Sequence, residues 1–324
     1  MKIEIGPNEA GQRLEKFLRK LLKDVPLSAI FKALRKKDIR VNGKKQNEKY
    51  FLEEGDIVEI KYIQSKKEDK TQKFMRVDPK RMKICFEDEN LVIVEKWPGI
   101  LVHSDTNEGR EATLTDYVLC YLNDKGDYLP ENEVTFTPAS CNRLDRNTSG
   151  MIMFGKTFEG LKCINEAIRD DEVKKYYYTL AKGKVKPGLY EGYIVKDSEN
   201  NISKVYDKEV KNSKKISMDV KVVETNGAYS FLEINLITGR SHQIRAHLAH
   251  VGNPIIGDNK YGDKKLNSFF ESKYGLNYQY LYAYKLNFRK IKGKLEYLDN
   301  KTIAVALPPL FKKIKQDVFK VSFR

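Results

Sequence analysis

Histidine and cysteine are scarce in this chain, with four of each among 324 residues. The cysteines, Cys85, Cys120, Cys141 and Cys163, lie far apart, and no Cys-x-x-Cys pair occurs. That spacing offers neither a disulfide framework nor a zinc site. No His-Glu-x-x-His helix is encoded, so neither a metal nor a cofactor is expected. No apolar run approaches the roughly 20 residues that span a bilayer. Residues 1–6 lack the apolar core of a secretory signal, so a cytoplasmic protein with no membrane association is expected. A monomer is expected as well. Acidic residues are also in short supply: 45 against 60 Lys and Arg leave a net charge of +15. Such an excess favours a polyanionic partner, most often nucleic acid, although a lysine-rich genome would produce it too.

The charge is concentrated near the N-terminus. Between Arg13 and Lys45 stand 12 basic and 3 acidic residues. Leu14, Phe17, Leu18, Leu21 and Leu22 recur at helical spacing, with Arg13, Lys16, Arg19, Lys20 and Lys23 on the other face. Pro26 ends that segment, and Ser28 is the expected N-cap of a second helix burying Ile30, Phe31 and Leu34. A short strand, Ile39-Arg40-Val41, then turns at Asn42-Gly43, a strong hairpin dipeptide. Gly55-Asp56 leads into a strand over 57–60. Residues 1–63 thus form a small domain, near the lower size limit for a self-standing core. Residues 64–82 read as a charged, extended linker, and residues 83–324 as the main domain.

The main domain opens with a hairpin over 84–94, followed by Lys96-Trp97-Pro98-Gly99. Residues 113–122 suit an amphipathic helix, and Lys125 to Glu133 a loop. The centre of the chain is Asn142-Arg143-Leu144-Asp145-Arg146-Asn147-Thr148-Ser149-Gly150. Before it, 135–141 contain a proline and read as an edge strand or extended loop. After it, Met151 to Phe154 read as a buried strand. The turn between them sets one carboxylate between two arginines, with Leu144 as an apolar anchor. A carboxylate beside arginine stays ionised near neutral pH, although a plain structural ion pair would look the same. Thr157 then caps a helix through about Arg169. Val173 to Gly183, rich in Tyr and β-branched residues, is a strand. Residues 189–236 are strand-rich. The segment after Thr238-Gly239 is helical, with Ile244, Leu248 and Val251 as its apolar stripe and His242 and Arg245 facing away. Strands over 281–288 and 302–306 and a basic helix from Pro308 close the chain.

Three motifs in this order carry a resemblance. Arg143-Leu144-Asp145 with Thr148-Ser149-Gly150 is similar to the signature of the RluA-like pseudouridine synthases, which isomerise uridine within RNA. That signature usually has His where Asn142 stands. Lys175 and Tyr177, six residues before Gly183, match the family's Lys-x-Tyr strand; Tyr176 and Tyr178 remain open as alternatives. Gly239 to Gly262 resembles the family's Gly-Arg-Thr-His-Gln-Ile-Arg-x-His and Gly-Asp-x-x-Tyr-Gly stretches, with Ser241 in place of Thr. Lys96, Gly99 and His103 keep a further pattern, from which Trp97 departs. At the N-terminus, Arg13-Leu14, Leu18, Ile39, Val41, Asn42 and Gly43 resemble the S-four-type (alpha-L) RNA-binding domain. That domain often has Gly where Lys37 stands and an Arg soon after Ser28.

The resemblance implies an α+β fold: a mixed, mainly antiparallel catalytic sheet with a small N-terminal α/β RNA-binding domain. It implies an isomerase acting on RNA, most readily large-subunit ribosomal RNA, with the target base flipped out of its stack. Asp145, Tyr177 and Arg245 are then the expected catalytic residues. Arg143, Lys175, Thr148 and His242 are expected to bind the substrate. Arg13, Arg19, Arg35, Lys36, Lys37, Arg40 and Lys44 are expected to meet RNA phosphates. A silent RNA-binding protein of the same fold and a transfer-RNA synthase are the alternatives. A glycosidase would need a second catalytic carboxylate, for which the motifs offer only Asp258.

Overall fold

The computed structural model of the chain describes residues 1–63, 74–104, 111–197 and 199–320. The N-terminal unit comprises β1 (Lys2–Glu4), α1 (Leu14–Leu21), α2 (Leu27–Lys36), β2 (Ile39–Val41) and β3 (Ile57–Ile60). The three strands form an antiparallel sheet in the order β1-β3-β2. Leu14, Phe17 and Leu18 of α1 and Ile30, Ala33 and Leu34 of α2 close its core. Helix α2 starts two residues earlier than the sequence suggests. Pro26 is its N-cap, in extended geometry, so Ser28 lies inside the first turn. Proline suits a helix boundary because it offers no N–H to the ladder. The helix ends on Lys37 in the left-handed region, φ 66, which explains why glycine is common there. Asn42 and Gly43 both have positive φ, as a type I′ hairpin requires. Asn42 also accepts the Ile57 N–H and donates to Asp56.

This unit is docked on the main domain. Glu9, buried, accepts hydrogen bonds from the backbone N–H groups of Thr135 and Phe136. Asn8 donates to Glu133 and accepts from the Phe158 N–H. Of the expected linker, 64–73 lie outside the described residues. Residues 74–82 are not free extended chain. Phe74 is buried, the Met75 N–H reaches Asp116, and Arg76 reaches Asn123 and Asp124. Phe74 anchors the stretch in the main core, with Val77 and Met82 packed against it.

The main domain contains, in order, β4 (Lys83–Glu87), β5 (Leu91–Lys96), α3 (Leu114–Lys125), β6 (Ala139–Ser140), β7 (Ser149–Gly155), α4 (Phe158–Arg169) and β8 (Val173–Lys182). It continues with β9 (Gly188–Asp197), β10 (Ile202–Tyr206), β11 (Lys214–Thr225), β12 (Tyr229–Leu236), α5 (Gln243–His250) and α6 (Lys264–Tyr274). It closes with β13 (Leu281–Phe288), β14 (Thr302–Ala304) and α7 (Pro309–Phe319). Among its described residues eleven strands share one sheet, β10-β9-β11-β12-β8-β13-β7-β5-β4, with β14 on β13 and β6 on β7. Among the described pairings only β13–β7 is parallel. The sheet is therefore mixed and mainly antiparallel.

Strands β5 and β7 are covered on both faces, which is why they read as unbroken apolar runs. Val92, Val94, Ile152 and Phe154 face one core, which takes in Leu114 and Val118 of α3 and Phe311 of α7. Leu91, Ile93, Met151 and Met153 face the other, closed by Ile164 and Ala167 of α4. Helix α3 is begun by a reciprocal capping box between Thr113 and Asp116 and ended by left-handed Gly126. No helix among the described residues is long and apolar enough to cross a membrane.

Candidate active site

The central turn is fixed at both ends by contacts its sequence makes possible. Gly150, at φ 122, lies so close to β13 that a Cβ would meet the Ala283 carbonyl oxygen at 2.3 Å. Thr148 is buried, and its hydroxyl accepts from Gln279. Leu144 is buried in the main core, as its place in a polar turn suggests. Asn142 clips the turn to β7: its carbonyl accepts the Met153 N–H and its amide donates to the Met151 carbonyl. This is a neutral donor–acceptor task, so an uncharged side chain suffices at a position where histidine is usual.

The turn delivers Asp145 to a cleft lined by Arg143, Thr148, Tyr177, Leu236, His242, Arg245 and Leu281, among others. Arg245 Nη1 donates to Asp145 Oδ2 at 2.8 Å. The other edge of the guanidinium grips Asp258, with Nε to Oδ2 at 2.7 Å and Nη2 to Oδ1 at 2.9 Å. Burial opposes the Arg245 charge, but Asp258 and Asp145 together hold it above the usual guanidinium range. Helix α5 presents Arg245 because it is enclosed on nearly all sides: Gln243 to Leu248 are all buried. The expected stripe is only partly right, since Val251 is 41% exposed. Periodicity could not show that a second layer covers the polar face of α5.

His242 adopts a left-handed backbone, φ 55, at the start of α5. Its Nδ1 pairs with the Tyr261 hydroxyl at 2.9 Å, and its Nε2 stands 4.0 Å from Asp145 Oδ2. Burial lowers its pKa, which favours the neutral ring. Tyr177 is the one of the three consecutive tyrosines that lines the cleft. Tyr178 stacks on Tyr284 instead, and Tyr176 lies under the Lys285 ammonium. Burial, then the Asp145 charge, raise the Tyr177 pKa, so the phenol keeps its proton at neutral pH. Arg143 is exposed at the cleft. Lys175 does not line the cleft. It shares a strand face with Tyr177 but sits about 7 Å farther along. It is buried, and burial lowers its pKa.

Two groups beside the cleft were given no role by their sequence. Asp258 is fully buried. Lys96 is also fully buried, and its ammonium donates to the carbonyls of Trp97, Ile100 and Arg146. It thereby ties the neighbour of Asp145 to the 97–100 loop. Burial brings its pKa down to about 7. The signal available for both was motif membership, which marks a position without telling its task.

On the N-terminal unit, Arg13, Arg19, Arg35, Lys36, Lys37 and Lys44 are exposed. Arg40 is half-buried, with its Nε on the Lys37 carbonyl. Among the described residues no cluster of three or more His, Cys, Asp or Glu could hold a metal.

Residues 90–250 match the RNA pseudouridylate synthase family, and residues 12–58 match the S4 domain. The chain is 33% identical over 307 residues to an uncharacterised RNA pseudouridine synthase of Mycoplasma capricolum, covering 93% of this chain and 96% of that protein. It is 32% identical to the ribosomal large subunit pseudouridine synthase C of Buchnera aphidicola, covering 98% and 96%. The corresponding protein of Vibrio vulnificus is 31% identical, covering 88% and 87%. Among solved structures, human RNA pseudouridylate synthase domain containing 4 superposes with a TM-score of 0.57 at 21% identity, covering 73% of this chain and 92% of that one. Human RNA pseudouridylate synthase domain containing 1 gives 0.51 at 18%, covering 76% and 98%, and these two likenesses speak for the fold. The chain therefore belongs to the RNA pseudouridylate synthase family, as an RNA pseudouridine synthase with an N-terminal S4 domain.

Proposed function

We propose that this enzyme isomerises uridines of large-subunit ribosomal RNA, with Asp145 as the reacting carboxylate. The observation that carries the reading is the cleft itself, where Arg143, Asp145, Tyr177 and Arg245, taken from three distant motifs, line one opening. In the isomerisation the N1–C1′ bond of the nucleotide breaks, the uracil turns, and a C5–C1′ bond forms. C5 gives up a proton and N1 gains one, so the product has the composition of the substrate and no co-substrate is consumed.

Each residue has a task the geometry supports. The Asp145 carboxylate serves the sugar, whether by attack or by proton removal. Arg245 donates a charge-assisted bond to it and so fixes its direction. The Tyr177 ring offers a face for the uracil, and its protonated hydroxyl can donate. The uridine must leave its stack to enter, at a cost of a few kcal/mol. Arg143, exposed beside the opening, is placed to fill the vacated position with its planar guanidinium. Thr148 and His242 shape the wall. The exposed cations of the S4 domain hold the surrounding RNA by its phosphates.

The ribosomal target rests on the two relatives whose names specify the large subunit and on the basic S4 face. Such a substrate puts the enzyme in the cytoplasm, and a cleft complete within one chain fits a monomer. Pseudouridine mapping of total RNA from cells with and without the gene tests the reading. One or more sites should vanish from large-subunit ribosomal RNA. A site lost from transfer RNA alone would overturn the substrate, and no lost site would leave the binding-only alternative.

A further inference from the structure

The fully buried Asp258 is a carboxylate of the site that makes no contact with the cleft opening. Three N–H groups of Arg245 are committed: two to Asp258 and one to Asp145. A guanidinium is planar, so two bonds on one edge fix the direction of the third. The Tyr261 ring lies against it, 5.2 Å from the guanidinium carbon. The carboxylate that grips Arg245 is itself held. Asp258 Oδ1 accepts the backbone N–H groups of Lys260 at 2.9 Å and Tyr261 at 3.1 Å. Its own carbonyl accepts from the Gly262 N–H and from Asn267. The flanking glycines permit this tight fold. A Cβ on Gly257 would meet the Tyr278 carbonyl oxygen, and one on Gly262 the Asp258 carbonyl oxygen, each at 2.3 Å.

Charge makes the arrangement more than a brace. Two carboxylates share one guanidinium, and Asp258 takes the two-pronged share. Asp145 receives a single bond, to Oδ2, which leaves its other oxygen outside the ion pair. Whether Asp145 attacks the sugar or takes a proton, it acts through an oxygen lone pair. An arginine without Asp258 could turn both prongs on Asp145 and occupy both oxygens.

We propose that Asp258 is a positioning residue for the isomerisation: it aims Arg245 and restricts it to one oxygen of Asp145. The proposal rests on Asp145 being the reacting group. It is tested in the full-length enzyme with a uridine-containing ribosomal RNA fragment as substrate. Asp258→Asn keeps the acceptor for the Lys260 and Tyr261 N–H groups, removes the charge, and sets an amide against Arg245 Nε. It should lower kcat about 100-fold, the usual penalty for a misplaced catalytic group, and leave KM for the RNA within about twofold of wild type. Asp258→Glu keeps the ion pair but shifts the guanidinium by about 1.5 Å, one carbon–carbon bond. It too should lower kcat with KM unchanged, and it remains informative if the Asn variant fails to fold. Since Asp258 acts only through Arg245, Asp258→Asn should cost nothing further in an Arg245→Gln background. Folded Asp258 variants with wild-type kcat, or losses that multiply with that of Arg245→Gln, would overturn the proposal. Asp145→Asn is measured alongside. Turnover in that variant would overturn the assignment of Asp145, and the proposal with it. An inactive Asp145→Asn beside fully active Asp258 variants would sink the Asp258 proposal alone.

Discussion

The S4 domain and the cleft both depend on arginine, and they use it in opposite ways. On the S4 domain Arg13, Arg19 and Arg35 are exposed, in a stretch with 12 basic and 3 acidic residues. There the cations stay in water and are available to phosphates. In the cleft Arg245 is buried between two carboxylates. Burial makes that charge expensive to leave unpaired, so its partners are fixed and its direction is set. An exposed cation contributes a little affinity at many geometries, whereas a buried one contributes a single geometry.

That contrast breaks most readily at Arg245. Arg245→Met should strand the Asp258 charge in the interior. Denaturant unfolding should show a loss of about 3–5 kcal/mol, and turnover by any folded fraction should fall about 100- to 1,000-fold. A stable, active Met variant would show that the buried pair is dispensable. The S4 face should behave differently. Replacing Arg19, Lys36 and Lys44 together by Ala should leave kcat and thermal stability near wild type. It should weaken RNA binding and reduce the slope of affinity against salt by about 1 per cation removed. An unchanged salt slope would place the phosphate contacts elsewhere.

A third comparison uses pH. His247 is buried on α5, and burial lowers its pKa from 6.5 to about 4. The unfolded chain therefore binds this proton first. The His247 contribution should be fully present above pH 6.5 and should be lost as pH falls towards 4. His247→Gln should flatten the fall in melting temperature across that window. Phosphate binding by the S4 domain, which does not involve His247, should not follow the same curve. The smallest effect is expected at Lys37. Its left-handed backbone should make Lys37→Gly stabilising by about 1 kcal/mol, seen as a raised melting point with unchanged turnover.

The sequence was most legible where period and turn chemistry act locally. Asn42-Gly43, the Thr157 cap, the apolar run at Met151 and the Tyr and β-branched content of β8 all mark their elements locally. The cleft was legible because its three motifs are long and ordered along the chain. Residues whose role depends on a second layer were not legible. Asp258 and Lys96 are polar in sequence and become fully buried only when α5, the 257–262 turn and the central loop meet. Val251 reads as core and is exposed because α5 buries its polar face as well. Residues 74–82 read as solvated linker because their charge hides the anchors Phe74, Val77 and Met82.

The central claim is that the Asp145 carboxylate performs the isomerisation while the rest of the protein holds the RNA. It is tested most directly by quantifying pseudouridine formed in a ribosomal RNA fragment by Asp145→Asn, with binding of that RNA measured on the same preparation. Asn keeps the size of the side chain and removes the charge that Arg245 meets. The account predicts a folded protein, RNA affinity close to wild type and no detectable pseudouridine. Turnover near the wild-type rate in that variant would contradict it.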